Sequence, residues 1–259
     1  MFFPIDFLLL YSSPVYHGFG VPRGDGSAAI VIPGFLGSDS TAMTIRRWLR
    51  SIGYRPYHSG IGLNAQCPNL LMEDRLANTV RRAAAETGRK VHLIGHSLGG
   101  MLAHSLAVQH PDVIASVTTL GSPVRGIVAQ RHVFGLARMV RKSILQEHGH
   151  RVESGCYTGE CQCRFARALN RSTPSSVFRT AIYTCSDGIV DWRYCLTDRA
   201  AENFEVSGTH LGLVFNPAAY NVIAHRLHEA TRADGTRGHV SRQRSVRSRR
   251  NPGFAPVPR

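Results

Sequence analysis

The stretch VHLIGHSLGG, residues 91 to 100, constrains this chain more than any other. An apolar run with strand character leads directly into Gly-x-Ser-x-Gly, and the residues that follow suit a helix from Ser97 to His110, ended by Pro111. A serine at the tip of a sharp strand-to-helix turn is held in strained backbone angles, and its neighbours must be small because the strand end and the helix start nearly touch. Gly95 and Gly99 occupy those two neighbouring positions. Ser97 is therefore expected to be a nucleophile, backed by a helix N-terminus that favours negative charge. His96, beside it, is expected to line the turn.

A serine hydroxyl is a poor nucleophile without a base, and the base needs an orienting acid. For a serine presented on such a turn, the acid and then the histidine follow in chain order, each in a loop after a later strand. AIYTCSDGIVDW supplies a strand and then Asp187-Gly188, while NFEVSGTHLGL supplies a strand and then His210. Asp191 is the rival acid, but Asp187 lies nearer the strand end and precedes a glycine that permits a tight loop. The oxyanion that forms on acyl transfer needs two backbone N–H groups. Leu98, after the nucleophile, supplies one, and Phe35 in VIPGFLGSD supplies the other, with Gly34 allowing the turn.

Around these motifs strand and helix signals alternate, as in a parallel sheet with crossover helices. Strands are expected at Ala28 to Ile32, Tyr54 to Tyr57, Lys90 to Gly95, Val113 to Leu120, Ser176 to Thr184 and Asn203 to Ser207. Helices are expected from Ser40 to Ser51 with a Ser or Thr cap, from Leu70 to Thr87 ended by Gly88, and from Pro217 to Thr231. The alternation fails between residues 122 and 179, an insertion of a size that in enzymes forms a lid or cap. Within it, Val133 and Phe134, or Leu136 and Met139, would let a helix cover a site. A length of 259 residues with 43% hydrophobic content supports one full α/β core, taken as residues 1–231, and excludes a disordered chain.

The net charge of +14 is carried almost wholly by arginine, and eight arginines against one acid lie from Arg232 onward. Residues 232–259, rich in Gly, Ser and Pro, are expected to form a disordered basic tail, first of all a solvated extension, with contact to anionic membrane surfaces through charge alone as the alternative. Specific nucleic-acid reading is not expected, because the folded part shows no basic platform interleaved with aromatics and no zinc-finger spacing. MFFPIDFLLLYSSPVY is apolar but lacks a positively charged start, contains Pro4 and Asp6, and is too short to span a bilayer. It is expected to pack against the domain or against lipid, giving a cytoplasmic or membrane-associated protein. Five of six cysteines fall between Cys156 and Cys195, a local cluster that leaves disulfides and free buried thiols open. Cys-x4-Cys-x-Cys is not a usual paired zinc spacing.

Five motifs in order, VIPGFLGSD, GRKVHLIGHSLGGMLA, TTLGSPVRG, YTCSDGIVDW and SGTHLGLVFNP, resemble the α/β-hydrolase superfamily on its lipase and esterase side. The resemblance implies a mostly parallel central sheet flanked by helices, with a lid or cap insertion. It also implies a serine hydrolase of carboxylic acyl esters: Ser97 attacks the carbonyl, His210 shuttles the proton, Asp187 orients the imidazole, and Phe35 and Leu98 hold the oxyanion. No cofactor or metal is implied. An acyltransferase would use the same acyl-enzyme, and binding to anionic surfaces through the arginine tail is the remaining alternative.

Overall fold

A computed structural model describes the backbone of residues 3–126, 131–158 and 160–249, and side chains within them for 5–126, 135–158 and 160–234. Among the described residues six strands form one sheet: β1 (Ala28–Ile32), β2 (Arg55–His58), β3 (Val91–His96), β4 (Ile114–Leu120), β5 (Phe178–Tyr183) and β6 (Asn203–Glu205). Their order across the sheet is β2-β1-β3-β4-β5-β6, with every neighbouring pair parallel. Parallel strands buried on both faces read as unbroken apolar runs, which is why AAIVI is legible as a strand. All five of its residues are buried.

The pleat sorts those residues into two cores. Ala28, Ile30 and Ile32 face one apolar cluster with Leu93, Val80 and Leu102, whereas Ala29 and Val31 face the other with Trp48, Ile94 and Tyr220. The first cluster is covered by α3 (Ala77–Thr87) and α4 (Leu98–Gln109), the second by α1 (Phe3–Ser12), α2 (Met43–Ser51) and α7 (Pro217–Arg249). Trp48 and Tyr220 pack with ring centroids 4.5 Å apart, and the Trp48 indole donates to the Val15 carbonyl at 2.9 Å. In α1, Leu10 is fully buried while Ile5, Leu8 and Leu9 are exposed, so the opening segment packs on the domain by one face only. Among the described residues no helix is long and apolar enough to cross a membrane.

Three local expectations need correction. The hydroxyls before α2 do not cap it: Ala42 is the N-cap, the Thr41 hydroxyl donates to the Ser38 carbonyl, and the Ser38 and Ser40 hydroxyls bond to each other. Those groups are already engaged in the turn that precedes the helix. The helix ended by Gly88 starts earlier than expected, with Pro68–Leu70 in α-helical and Leu71–Leu76 in π-helical geometry ahead of α3. Finally, α7 does not stop at Thr231 but continues to Arg249, so much of the expected disordered tail is helical. No proline follows Pro217 until Pro252, and the intervening Gly235 and Gly238 weaken a helix without breaking it. Residues 250–259 lie outside the described residues.

Between β4 and β5 stand α5 (Arg131–His148) and α6 (Arg164–Leu169). Leu136 is partly exposed and Met139 largely so, while the side chains of Val133 and Phe134 lie outside the described residues. All six cysteines are free thiols.

His92, on β3, is 1% exposed, and burial pushes its pKa down to about 4. It is neutral when folded, whereas the unfolded chain takes up the proton near 6.5, so acid favours unfolding. Stability contributed by the neutral ring is complete above about pH 6.5 and is lost as pH falls toward 4. Urea unfolding midpoints measured from pH 7 to pH 4 are expected to fall steeply for wild type and less steeply for His92→Gln.

Candidate active site

Parallel α/β sheets gather ligands at the carboxyl ends of their strands, and the expected site residues sit there. Ser97 follows β3, Phe35 lies in the loop after β1, Asp187 in the loop after β5 and His210 in the loop after β6. The register sets their spacing: Ile32 is paired with Gly95, and Leu120 with His96.

Ser97 has φ 52° and ψ −123°, a conformation rare for a residue with a side chain and one that the surroundings must enforce. The enforcement is close packing. A Cβ on Gly95 would collide with the backbone of Gly99 and Gly100, and one on Gly99 with the Ile32 and Pro33 carbonyls. At Gly34 a Cβ would lie 2.9 Å from His96 Nδ1 and 3.2 Å from the Ser97 Cβ. Glycines from two loops therefore let β1, β3 and α4 converge on the serine.

His210 Nδ1 donates to Asp187 Oδ2 at 2.6 Å, with only 4% and 1% of the two side chains exposed. Burial alone would raise the Asp187 pKa. Hydrogen bonding to His210, the charge of that ring, and the N–H groups of Val190 and Ile189, each 2.9 Å from Oδ1, hold it below the ordinary carboxylate value instead. An ionised carboxylate accepts only, so the ring proton stays on Nδ1 and Nε2 keeps its lone pair. Asp191 is placed elsewhere: it caps the short 3-10 helix Trp192–Cys195 and accepts from Arg193 N at 3.0 Å.

Phe35, His96, Ser97 and His210 line one cavity of about 530 Å³, whose other walls include Ile45, Leu136, Ile189, Leu211, Val214 and Phe215. Leu98 is the first residue of α4, so its N–H has no partner within the helix. Leu98 also lines a second cavity, of about 310 Å³.

His96 lines the cavity as expected, and several contacts around it leave no trace in spacing. His96 Nε2 donates to the His210 carbonyl at 2.9 Å, and desolvation, with the facing His210 ring, pushes its pKa down to about 3. Asn64, fully buried, clasps the loop after β1: its Nδ2 donates to the Pro33 carbonyl, its carbonyl accepts from Leu36 N, and its N–H donates to Gly37 O. Gly121, at φ 56°, explains the glycine of TTLGSP, since a Cβ there would lie 3.1 Å from His210 Nδ1 and 3.3 Å from Asp187 Oδ2. Only a sequence signal as local as that glycine could have pointed to a close approach; Asn64 acts across a 31-residue separation and leaves none.

Comparison with known proteins bears on the fold. Residues 75–150 match a family model described as alpha/beta hydrolase fold. Over 80–81% of its length the chain superposes on the Paleococcus ferrophilus monoacylglycerol lipase (TM-score 0.52, 14% identity, 97% of that chain) and a Nitrososphaera gargenis carboxylesterase (TM-score 0.52, 16% identity, 93% of that chain). The chain has the α/β-hydrolase fold. Within that fold it is similar in sequence to triacylglycerol lipases of Pseudarthrobacter phenanthrenivorans and Burkholderia plantarii, at 35% identity over 105 residues, 38% of this chain. The match spans about a third of those relatives, 33% and 29% of their respective lengths.

Replacing Asp187 by Asn keeps the shape but removes the charge that fixes the His210 tautomer. Fluorophosphonate labelling of Ser97 is expected to slow by roughly three to four orders of magnitude, while Asp191→Asn, which alters only the cap of its own turn and an ion pair with Arg193, leaves the labelling rate close to wild type.

Proposed function

We propose that the chain is a serine hydrolase of carboxylic acyl esters working through an acyl-enzyme on Ser97. The observation that carries this reading is the buried Asp187–His210 pair, which opens on the same cavity as a serine held at φ 52°. His210 Nε2 takes the proton as the Ser97 Oγ attacks the ester carbonyl carbon, and the carbonyl π electrons move to oxygen. The N–H groups of Phe35 and Leu98 hold that oxyanion. Collapse expels the alkoxide, which leaves with the proton from His210. Water then attacks the acyl-enzyme, giving its proton to the same nitrogen, and that proton passes to the Ser97 Oγ as the carboxylic acid departs.

The mainly apolar cavity walls favour an acyl chain over a charged substrate. The names of the lipase and esterase relatives point the same way. We read residues 122–179 as the cover of this cavity, since Leu136 of α5 reaches its wall. Turnover of p-nitrophenyl esters from acetyl to palmitoyl tests the proposal. Activity is expected on part of the series, with kcat in Ser97→Ala lower by about five to six orders of magnitude. A Ser97→Ala enzyme that retains its turnover would overturn the assignment.

A further inference from the structure

The segment between β4 and β5 is fastened to the body by an apolar cluster separate from the two sheet cores. Its members are Cys67, Leu70, Ile144, Val152 and Cys156, with Tyr157 packed against them. Cys67 and Cys156 are 3% and 2% exposed, and the two thiols are hydrogen-bonded to each other. Cys161 and Cys163, half-buried, line the same cavity of about 310 Å³. Among the described residues no three His, Cys, Asp or Glu side chains are grouped as a metal ion requires, so the chemistry that suits this arrangement is that of a dithiol.

The two central sulfurs are not equivalent. Cys67 immediately precedes Pro68, and besides the Cys156 thiol it receives the N–H groups of Leu70 and Asn69. Those hydrogen bonds stabilise a thiolate and outweigh the burial that opposes it. Cys156, the donor in the pair and buried, is held as the thiol. One sulfur is thus prepared as nucleophile and its neighbour as resolving thiol.

We propose that Cys67 and Cys156 form a redox-active dithiol that closes to a disulfide and ties the inserted segment to the start of the helical run at Pro68. The oxidant is a low-molecular-weight disulfide, RSSR, which reaches Cys67 through the cavity that all four thiols line. The Cys67 thiolate attacks one sulfur of RSSR, forming a mixed disulfide and releasing RS⁻. Cys156 then loses its proton, attacks the Cys67 sulfur and expels the second RS⁻. Two protein thiols are oxidised by two electrons and RSSR is reduced to two RSH.

The bond would lock Tyr157, whose hydroxyl donates to the Gln66 carbonyl and whose ring lies 6.0 Å from that of Phe35. The inference does not depend on the ester-hydrolase reading, because its readouts are covalent mass and unfolding. Full-length protein is treated with oxidised glutathione, alkylated and mapped by mass spectrometry, and its melting temperature is compared with that of the dithiothreitol-reduced form. The expected result is a Cys67–Cys156 linked peptide, two fewer alkylated thiols, and a Tm higher by about 10 °C, since the bond closes a loop of about 90 residues. Dithiothreitol should reverse all three changes, and Cys67→Ser and Cys156→Ser should each abolish the linked peptide and the Tm rise. Full alkylation after oxidation, a Cys161–Cys163 bond in its place, or a Tm indifferent to glutathione would overturn the proposal. The wild-type mapping decides the matter even if a serine variant fails to fold.

Discussion

Everything at the carboxyl edge of this sheet depends on how closely three backbones approach one another. The end of β3, the start of α4 and the loop after β1 meet backbone to backbone at Gly95 and Gly99, and Gly34 brings that loop against the side chains of His96 and Ser97. That contact bends Ser97 into a conformation the residue would not choose by itself and aims it at the cavity. A single methyl group at any of the three positions would push apart the elements that define the site. The buried core below, sorted by the pleat into two apolar clusters, holds those elements still enough for the contact to persist.

The electrostatics follow from the same compactness. A carboxylate as buried as Asp187 would ordinarily be protonated, and two backbone N–H groups and the imidazole keep it charged. His96, by contrast, has a backbone carbonyl to donate to and a second imidazole against its face, and it stays neutral. Two adjacent histidines therefore occupy opposite roles for a physical reason: one faces a carboxylate, the other does not.

Much of this was legible in the residues because it is local or ordered. The apolar run of β1, the small residues around Ser97, and the succession of Ser97, Asp187 and His210 each leave a trace in a short window. Asp187 lies nearer the strand end than Asp191, and each acid has its own partner, His210 for the first and the Arg193 N–H for the second. What stayed hidden acts across space. Asn64 holds the loop of Phe35 from 31 residues away, and no periodicity announces it. The hydroxyls before α2 looked like caps because a sequence shows which groups are available but not which are already bonded. The extension of α7 to Arg249 runs through a composition typical of disorder, because no proline interrupts the backbone there.

The hydrogen bond from His96 to the His210 carbonyl joins residues 114 apart in the chain. During synthesis the turn that carries Ser97 therefore emerges long before the loop that carries His210. At ribosomal rates the delay is on the order of ten seconds. Over that interval the nascent chain holds Ser97 without His210, and the two can line one cavity only after the loop beyond β6 has been made.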